Sequence, residues 1–184
     1  MRLLPKRFET LKRNTKKNIV PLLTPYLLKL RINTYAPYIG AGIKIDYVDL
    51  DQGLCVVSMG LTALNKNIVG TQFGGSLYSM VDPFYMLMLM HQLGNKYVVW
   101  DKSSHIDFVA PGNSKVTARI KVPTGEIATI KTLTENGEAV FREYTVDVVD
   151  EQQKIVATVT KNLYIRLRKH SKSNEQNSRM PIPD

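Results

Sequence analysis

The spacing of apolar residues along this chain shifts between helical and strand periods, and each shift predicts an element. Leu4, Phe8, Leu11 and Ile19 keep near-helical spacing among Lys6, Arg7, Lys12, Arg13, Lys16 and Lys17, which describes a basic amphipathic helix. Thr24 followed by Pro25 predicts the N-cap and first helical position of a second short helix that ends near Arg31. From Gly42 the period is that of strands: Ile43, Ile45 and Tyr47, then Leu54, Val56, Ser58 and Gly60, bracket a turn from Asp49 to Gly53. Asn67 to Asp82 leads into a run of 21 mostly apolar residues, Phe73 to Leu93, which Gly94-Asn95 stops. A helix apolar nearly all round must be covered on every side. Further strands are predicted at Tyr97 to Val109, Lys115 to Val122, Ala139 to Val149 and Ile155 to Leu167. A short helix from Thr124, carried by Ile127, Ile130 and Leu133, is closed by Asn136-Gly137, and the turn Asp150 to Lys154 joins the last two strands.

This order predicts an α+β fold, an antiparallel sheet of about six strands wrapped around one long central helix, with extra N-terminal helices. Residues 1–32 form a basic helical extension, 33–168 the domain, and 169–184 a polar, flexible tail. The 184 residues suit one hydrophobic core. A membrane-spanning reading of Phe73 to Leu93 is set aside, because Asp82 at its middle would cost roughly 2.5 to 3.5 kcal/mol there.

The formal net charge of +9 is unevenly spread. Residues 1–31 hold nine Lys/Arg against Glu9 alone, and 161–184 hold six against two acids, while 32–160 carry ten bases and thirteen acids. Basicity therefore belongs to the flanks, and the first helix either docks on the domain or rests peripherally on a membrane surface. No nucleic-acid partner is expected. The single cysteine, Cys55, allows no internal disulfide and fits a reducing, cytoplasmic setting. His91, His105 and His170 lie far apart, so no metal site is expected, and no cofactor.

The densest chemistry lies in the run N-I-V-G-T-Q-F-G-G-S-L-Y-S-M-V-D, residues 67–82. Gly74 and Gly75 stand where loop becomes helix: they make either a tight, closely packed turn or a helix N-terminus whose N–H groups hold an oxyanion. Asp82 before Pro83 is either a cap restarting the helix after a kink, or a buried acid kept for chemistry. Pro83 also frees the carbonyl of Ser79. Eight residues of continuous helix separate Gly74 from Asp82 by about 12 Å, so one subunit cannot bring both to the same atom. If both act, the site needs two subunits. Asn67 orients a water or carbonyl, or serves the turn in N-K-N. On the strand from Tyr97, alternation places Asp101, Ser103, His105 and Asp107 on one face, and Lys102, Ser104, Ile106 and Phe108 on the other. No nucleophile elbow supports serine hydrolase chemistry.

Asn67, Gly70, Phe73, Gly74, Gly75 and Asp82 resemble the N-x-x-G-x-x-H-G-G...D signature of hotdog-fold acyl-CoA thioesterases of the phenylacetyl-CoA thioesterase-like branch. Ala36-Pro37, Gly40 to Ile43, Trp100-Asp101-Lys102, Phe108 with Pro111-Gly112, and Asn162 to Arg166 are similar to a less characterised bacterial branch of that superfamily. The resemblance implies a hotdog fold, an acyl-CoA substrate, a homodimer or dimer of dimers, and a site at the dimer interface. It implies a backbone N–H at Gly74 for the thioester carbonyl, Asp82 of the opposing subunit as general base or nucleophile, and Asn67 positioning water or carbonyl. Gly75, Phe73, Lys102 and Ser104 would line the substrate, and Lys66, Arg119, Lys121 and Lys161 are candidates for the coenzyme A phosphates. Phe73 departs from the signature's histidine, and Pro83 after the acid departs from the wider family. The alternative is a hotdog module that binds acyl-CoA or lipid without turning it over.

Overall fold

The computed structural model describes residues 27–168. The helix expected over Leu4 to Ile19 and the tail 169–184 lie outside the described residues. Helix α1 (its described part, 27–33) and helix α2 (Ala36–Ala41) precede strands β1 (Ile43–Asp49) and β2 (Leu54–Met59). Then come α3 (Gly74–Ser79), α4 (Phe84–Leu93), β3 (Tyr97–Phe108), β4 (Val116–Lys121), α5 (Glu126–Leu133), β5 (Val140–Asp150) and β6 (Ile155–Leu167). Six strands form one antiparallel sheet in the order β1-β2-β4-β5-β6-β3, which leaves β1 and β3 as its edges. Among the described residues no helix is long and apolar enough to cross a membrane.

Period-two alternation decides which face of the sheet is buried. Val116, Ala118 and Ile120 on β4 are fully buried while Arg119 and Lys121 between them are exposed. On β6 the buried row is Ala157, Val159, Lys161, Leu163 and Ile165. Phe84, Met88 and Leu89 of α4 press onto this face, and burying each large side chain contributes about 1.5–3 kcal/mol. A lysine in that row is the exception that organises the site described below.

The central helix is interrupted. Residues 80–83 form turns between α3 and α4, because Pro83 supplies no N–H to continue the ladder. Tyr38 from α2 donates its hydroxyl to the Ser79 carbonyl at 2.8 Å, satisfying the acceptor that the break exposes. The N-terminal helices are tied to β1: Asn33 accepts from the Ile45 N–H at 2.7 Å and donates to the Ile45 carbonyl at 3.3 Å, and Lys29 reaches the Asp46 carbonyl at 2.7 Å where β1 bulges.

One buried charge cluster is structural. Glu126 at the start of α5 takes a two-pronged contact from Arg142 of β5, at 2.8 and 2.9 Å, and the Tyr144 hydroxyl at 2.6 Å. The Arg142 hydrogen bonds hold the Glu126 carboxyl below its usual range, against burial. Glu126→Gln leaves Arg142 without its counter-charge and is expected to cost about 3 kcal/mol near pH 7, read by urea denaturation. A group with a lowered folded pKa stabilises above its unfolded value, about 4.3, and loses that contribution as pH falls through the folded value. The gap between wild type and variant should therefore close in acid. A gap independent of pH would show that the charge of Glu126 is not what stabilises this corner.

Candidate active site

Grooves among the described residues line the central helix, and three of them divide the residues of the 67–82 run. The first is lined by Asn67, Val69, Gly74, Leu77, Phe108 and the 109–112 loop. Asn67 and Gly74 meet here. Asn67, however, spends its amide within its own loop: Nδ2 donates to Thr71 Oγ1 at 2.8 Å and to the Gln72 carbonyl at 3.3 Å, and Oδ1 accepts from Val69 and Thr71 N–H. It shapes the loop that leads into α3. Gln72, which the sequence did not single out, pins that loop by donating to the carbonyls of Met59 and Ser114.

The glycine pair has a packing reason that holds whatever its chemistry. A Cβ at Gly74 would sit 2.8 Å from Phe108 Cζ, and one at Gly75 would sit 2.6 Å from Phe73 Cε1. Phe73 thus folds over Gly75 and stays half exposed at 55 %. Among the described residues the N–H groups of Gly74 and Gly75 take no acceptor.

Asp82 lies in a different place from Gly74, in a cleft lined by α1, α2 and the helix break. The capping role fails: the N-cap of α4 is Pro83, and no side chain caps it. Instead Asp82 Oδ1 accepts from Lys161 Nζ at 2.6 Å and from the Tyr78 hydroxyl at 2.5 Å. Lys161 Nζ also donates to the Tyr78 oxygen at 3.1 Å and contacts Asp101 Oδ1 at 3.2 Å, at an angle too poor for a hydrogen bond, so that buried oxygen lacks a donor. Ser104 Oγ lies 3.0 Å from the Tyr78 oxygen, whose proton goes to Asp82, so Ser104 donates.

Lys161 is fully buried between two carboxylates, and its environment explains its charge. Burial alone would pull its pKa down, but the hydrogen bonds to Asp82 and Tyr78 and the charges of Asp82 and Asp101 push it above the ordinary lysine value. Asp101 is shifted up by burial, opposed by Lys161 and aided by the charge of Asp82. The expectation of Lys161 as a surface residue for phosphates is therefore corrected: its side chain is 0 % exposed. Lys66, Arg119 and Lys121 are exposed.

Strand alternation mispredicted one pair for a local reason. The ladder between β3 and β6 slips between Asp101 and Ser103, so Lys102 is the extra residue of a bulge. Asp101, opposite Leu163, therefore shares the inner face with Ser104, opposite Lys161, and with Ile106. Asp101 had been placed on the outer polar face; the bulge brings it in and turns Lys102 out to solvent. Lys102, Ser104, Tyr78 and Asp101 line the third groove. Tyr78 and Asp101 are the site residues that sequence reasoning missed, and Lys161 was named in the wrong role; the signal existed for Lys161 alone, as the one charge in the buried row of β6.

Among the described residues no group of three or more His, Cys, Asp or Glu is placed to hold a metal ion. Chemically the arrangement offers a carboxylate with one oxygen anchored by two donors and the other, Oδ2, without a donor among the described residues.

The family model described as a domain of unknown function (DUF4442) matches residues 25–165. No curated protein matches the sequence. Among solved structures, a Pseudomonas aeruginosa protein of unknown function labelled a probable thioesterase is 16 % identical, with a TM-score of 0.68 over 77 % of this chain and 95 % of that one. A thioesterase from Haemophilus influenzae is 16 % identical, with a TM-score of 0.54 over 75 % of this chain and 87 % of that one. The E. coli PaaI protein from the phenylacetic acid degradation operon is 24 % identical, with a TM-score of 0.50 over 75 % of this chain and 88 % of that one. Likeness at these identities speaks of the fold, and the fold is the hotdog.

Proposed function

Since this chain belongs to the DUF4442 family and carries the hotdog fold, we propose that it hydrolyses acyl thioesters of coenzyme A, with Asp82 as general base or nucleophile. One observation carries the reading: Asp82 sits at a break in the central helix, its Oδ1 held by Lys161 and Tyr78, while its half-exposed side chain lines a cleft and Oδ2 takes no donor among the described residues. As general base, Oδ2 takes a proton from water; the hydroxyl oxygen bonds to the thioester carbon, the carbon–sulfur bond breaks, and the proton passes to the departing sulfur. The products are a carboxylic acid and free coenzyme A. The thioesterase names of the Pseudomonas aeruginosa and Haemophilus influenzae proteins support the same chemistry.

The carbonyl oxygen needs donors while it carries charge, and the unpartnered N–H groups of Gly74 and Gly75 are of the right kind. Gly74 and Asp82 open into separate grooves of one chain. The reading therefore takes the glycine N–H groups from a second copy, in a homodimer or a dimer of dimers. Supporting this, among the described residues β3 is an unpaired sheet edge of 12 residues with Trp100 and Phe108 exposed, a surface that a lone protein would normally blunt. Sedimentation velocity is expected to show a dimer or tetramer; a strict monomer that still releases thiol would remove the shared site.

The test of the function is release of free thiol from a panel of acyl-CoAs of graded chain length. If the folded protein releases none, hydrolysis is the wrong reading. In that event the second reading, an acyl-binding module without turnover, takes its place; Asn67 favours it, because its amide is spent inside its own loop.

A further inference from the structure

The cleft that Asp82 lines lies between the N-terminal helices and the break in the central helix. Its volume is about 660 Å³, within the range of small-molecule sites. Leu28 and Ile32 of α1, Pro37 of α2, and Pro83 and Leu87 at the helix break make it mainly apolar. The polar atoms along it are mostly committed. The Tyr38 hydroxyl is given to the Ser79 carbonyl, and the Ser79 hydroxyl to the Gly75 carbonyl at 2.8 Å. Tyr35 and Tyr38 meet edge to face, with ring centroids 5.8 Å apart, so their rings engage each other. Two charged residues remain on the lining, Asp82, anchored through Oδ1 to Lys161, and the exposed Arg31, whose guanidinium has no partner among the described residues.

We propose that this cleft binds the acyl chain of the thioester, so that the chain's own N-terminal helices wall the acyl site and the substrates are aliphatic acyl groups long enough to fill it. The proposal rests on the reading of Asp82 as the reacting carboxylate. An apolar chain matches the lining, with methylene groups against Ile32 and Leu87. A free fatty acid shares that chain and adds a carboxylate for Arg31, a charge that the neutral thioester end of an acyl-CoA lacks, and the experiment separates the two.

The probe is a fluorescent fatty acid, 11-(dansylamino)undecanoic acid, titrated into the full chain, alongside turnover of dodecanoyl-CoA and acetyl-CoA. Ile32→Trp and Leu87→Trp fill the cleft from α1 and α4, and Leu64→Trp, at an exposed loop position that lines none of the three grooves, is the control. Either cleft variant is expected to weaken the probe and raise KM for dodecanoyl-CoA about tenfold or more, a change that filling an apolar pocket commonly produces, and to spare acetyl-CoA. Leu64→Trp should leave probe binding unchanged. Arg31→Ala, at an exposed position that leaves packing intact, should weaken the probe even if a tryptophan variant fails to fold. Equal probe binding in folded cleft variants and wild type, unchanged binding in Arg31→Ala, or no binding by wild type overturns the cleft. Binding to wild type without thiol release sinks the hydrolase reading and leaves the cleft; thiol release whose chain-length preference ignores the cleft variants does the reverse.

Discussion

Asp82→Asn is expected to lower kcat about 10³-fold, within the span that a positioned general base contributes, which corresponds to about 4 kcal/mol of the barrier. Asparagine keeps the size of the side chain and a carbonyl oxygen for Lys161 and Tyr78, so the break between α3 and α4 should persist. It loses the ability to take a proton from water. KM should change little, because the missing interaction belongs to the transition state. Thiol release followed at saturating acyl-CoA reads the effect, and circular dichroism confirms the fold. A variant within threefold of wild type would show that Asp82 is a structural partner of Lys161 and that the reacting group is elsewhere.

The second large effect is expected at Lys161. In Lys161→Met the two acids that share the ammonium, Asp82 and Asp101, face each other without it. The groups around them are Tyr78 from α3, Ser104 from β3, Tyr144 beside Lys161 on β5, Tyr38 across the cleft, and Arg31 on its lining; Arg31 is the one remaining cation of that set. Two carboxylates at close range cannot both ionise cheaply, so the acid limb of the kcat profile should move toward neutral pH, and activity lost at pH 7 should return toward pH 9. Asp101→Asn added to Lys161→Met removes the repulsion and should restore the limb. A merely structural lysine would lower activity equally at every pH and gain nothing from Asp101→Asn.

Stability should follow the same charges. Lys161 has a raised folded pKa, so its contribution is complete below the unfolded value, about 10.4, and is lost only as pH rises through the folded one. Asp101, also raised, costs stability once pH climbs past about 3.9 toward its folded value. Lys161→Met is expected to lose about 2 kcal/mol near pH 7, less than a fully buried pair, because Asp82 is 44 % exposed. That loss should shrink in acid as pH falls through the raised folded value of Asp101 and its charge is lost.

Much of the fold was legible in the chain because its signals are local. The strand β6 begins and ends where the apolar alternation does, and β1 and β2 flank the expected turn. Pro83 announced the break in the central helix, and the freed Ser79 carbonyl found a donor, although no local rule named Tyr38. The site was less legible. The cap reading of Asp82 rested on a neighbouring proline, yet the side chain turned to Lys161, 79 positions away. A one-residue slip at Lys102 exchanged the faces of Asp101 and Lys102, and a bulge leaves no mark in a pattern of polar residues.

The sequence by itself determined the element order from β1 onward, the α+β class, the interruption before Phe84 and the presence of an acid at that interruption, but not helix α2. Each follows from the period of apolar residues and from proline's missing N–H, which act within a few positions. Only the tertiary structure decided what the acid does. Sheet register set Lys161 in the buried row opposite Ser104, the bulge turned Asp101 toward it, and the α1 and α2 helices enclosed the face that Asp82 leaves open. Those contacts join residues far apart in the chain, whose approach depends on packing across the whole sheet.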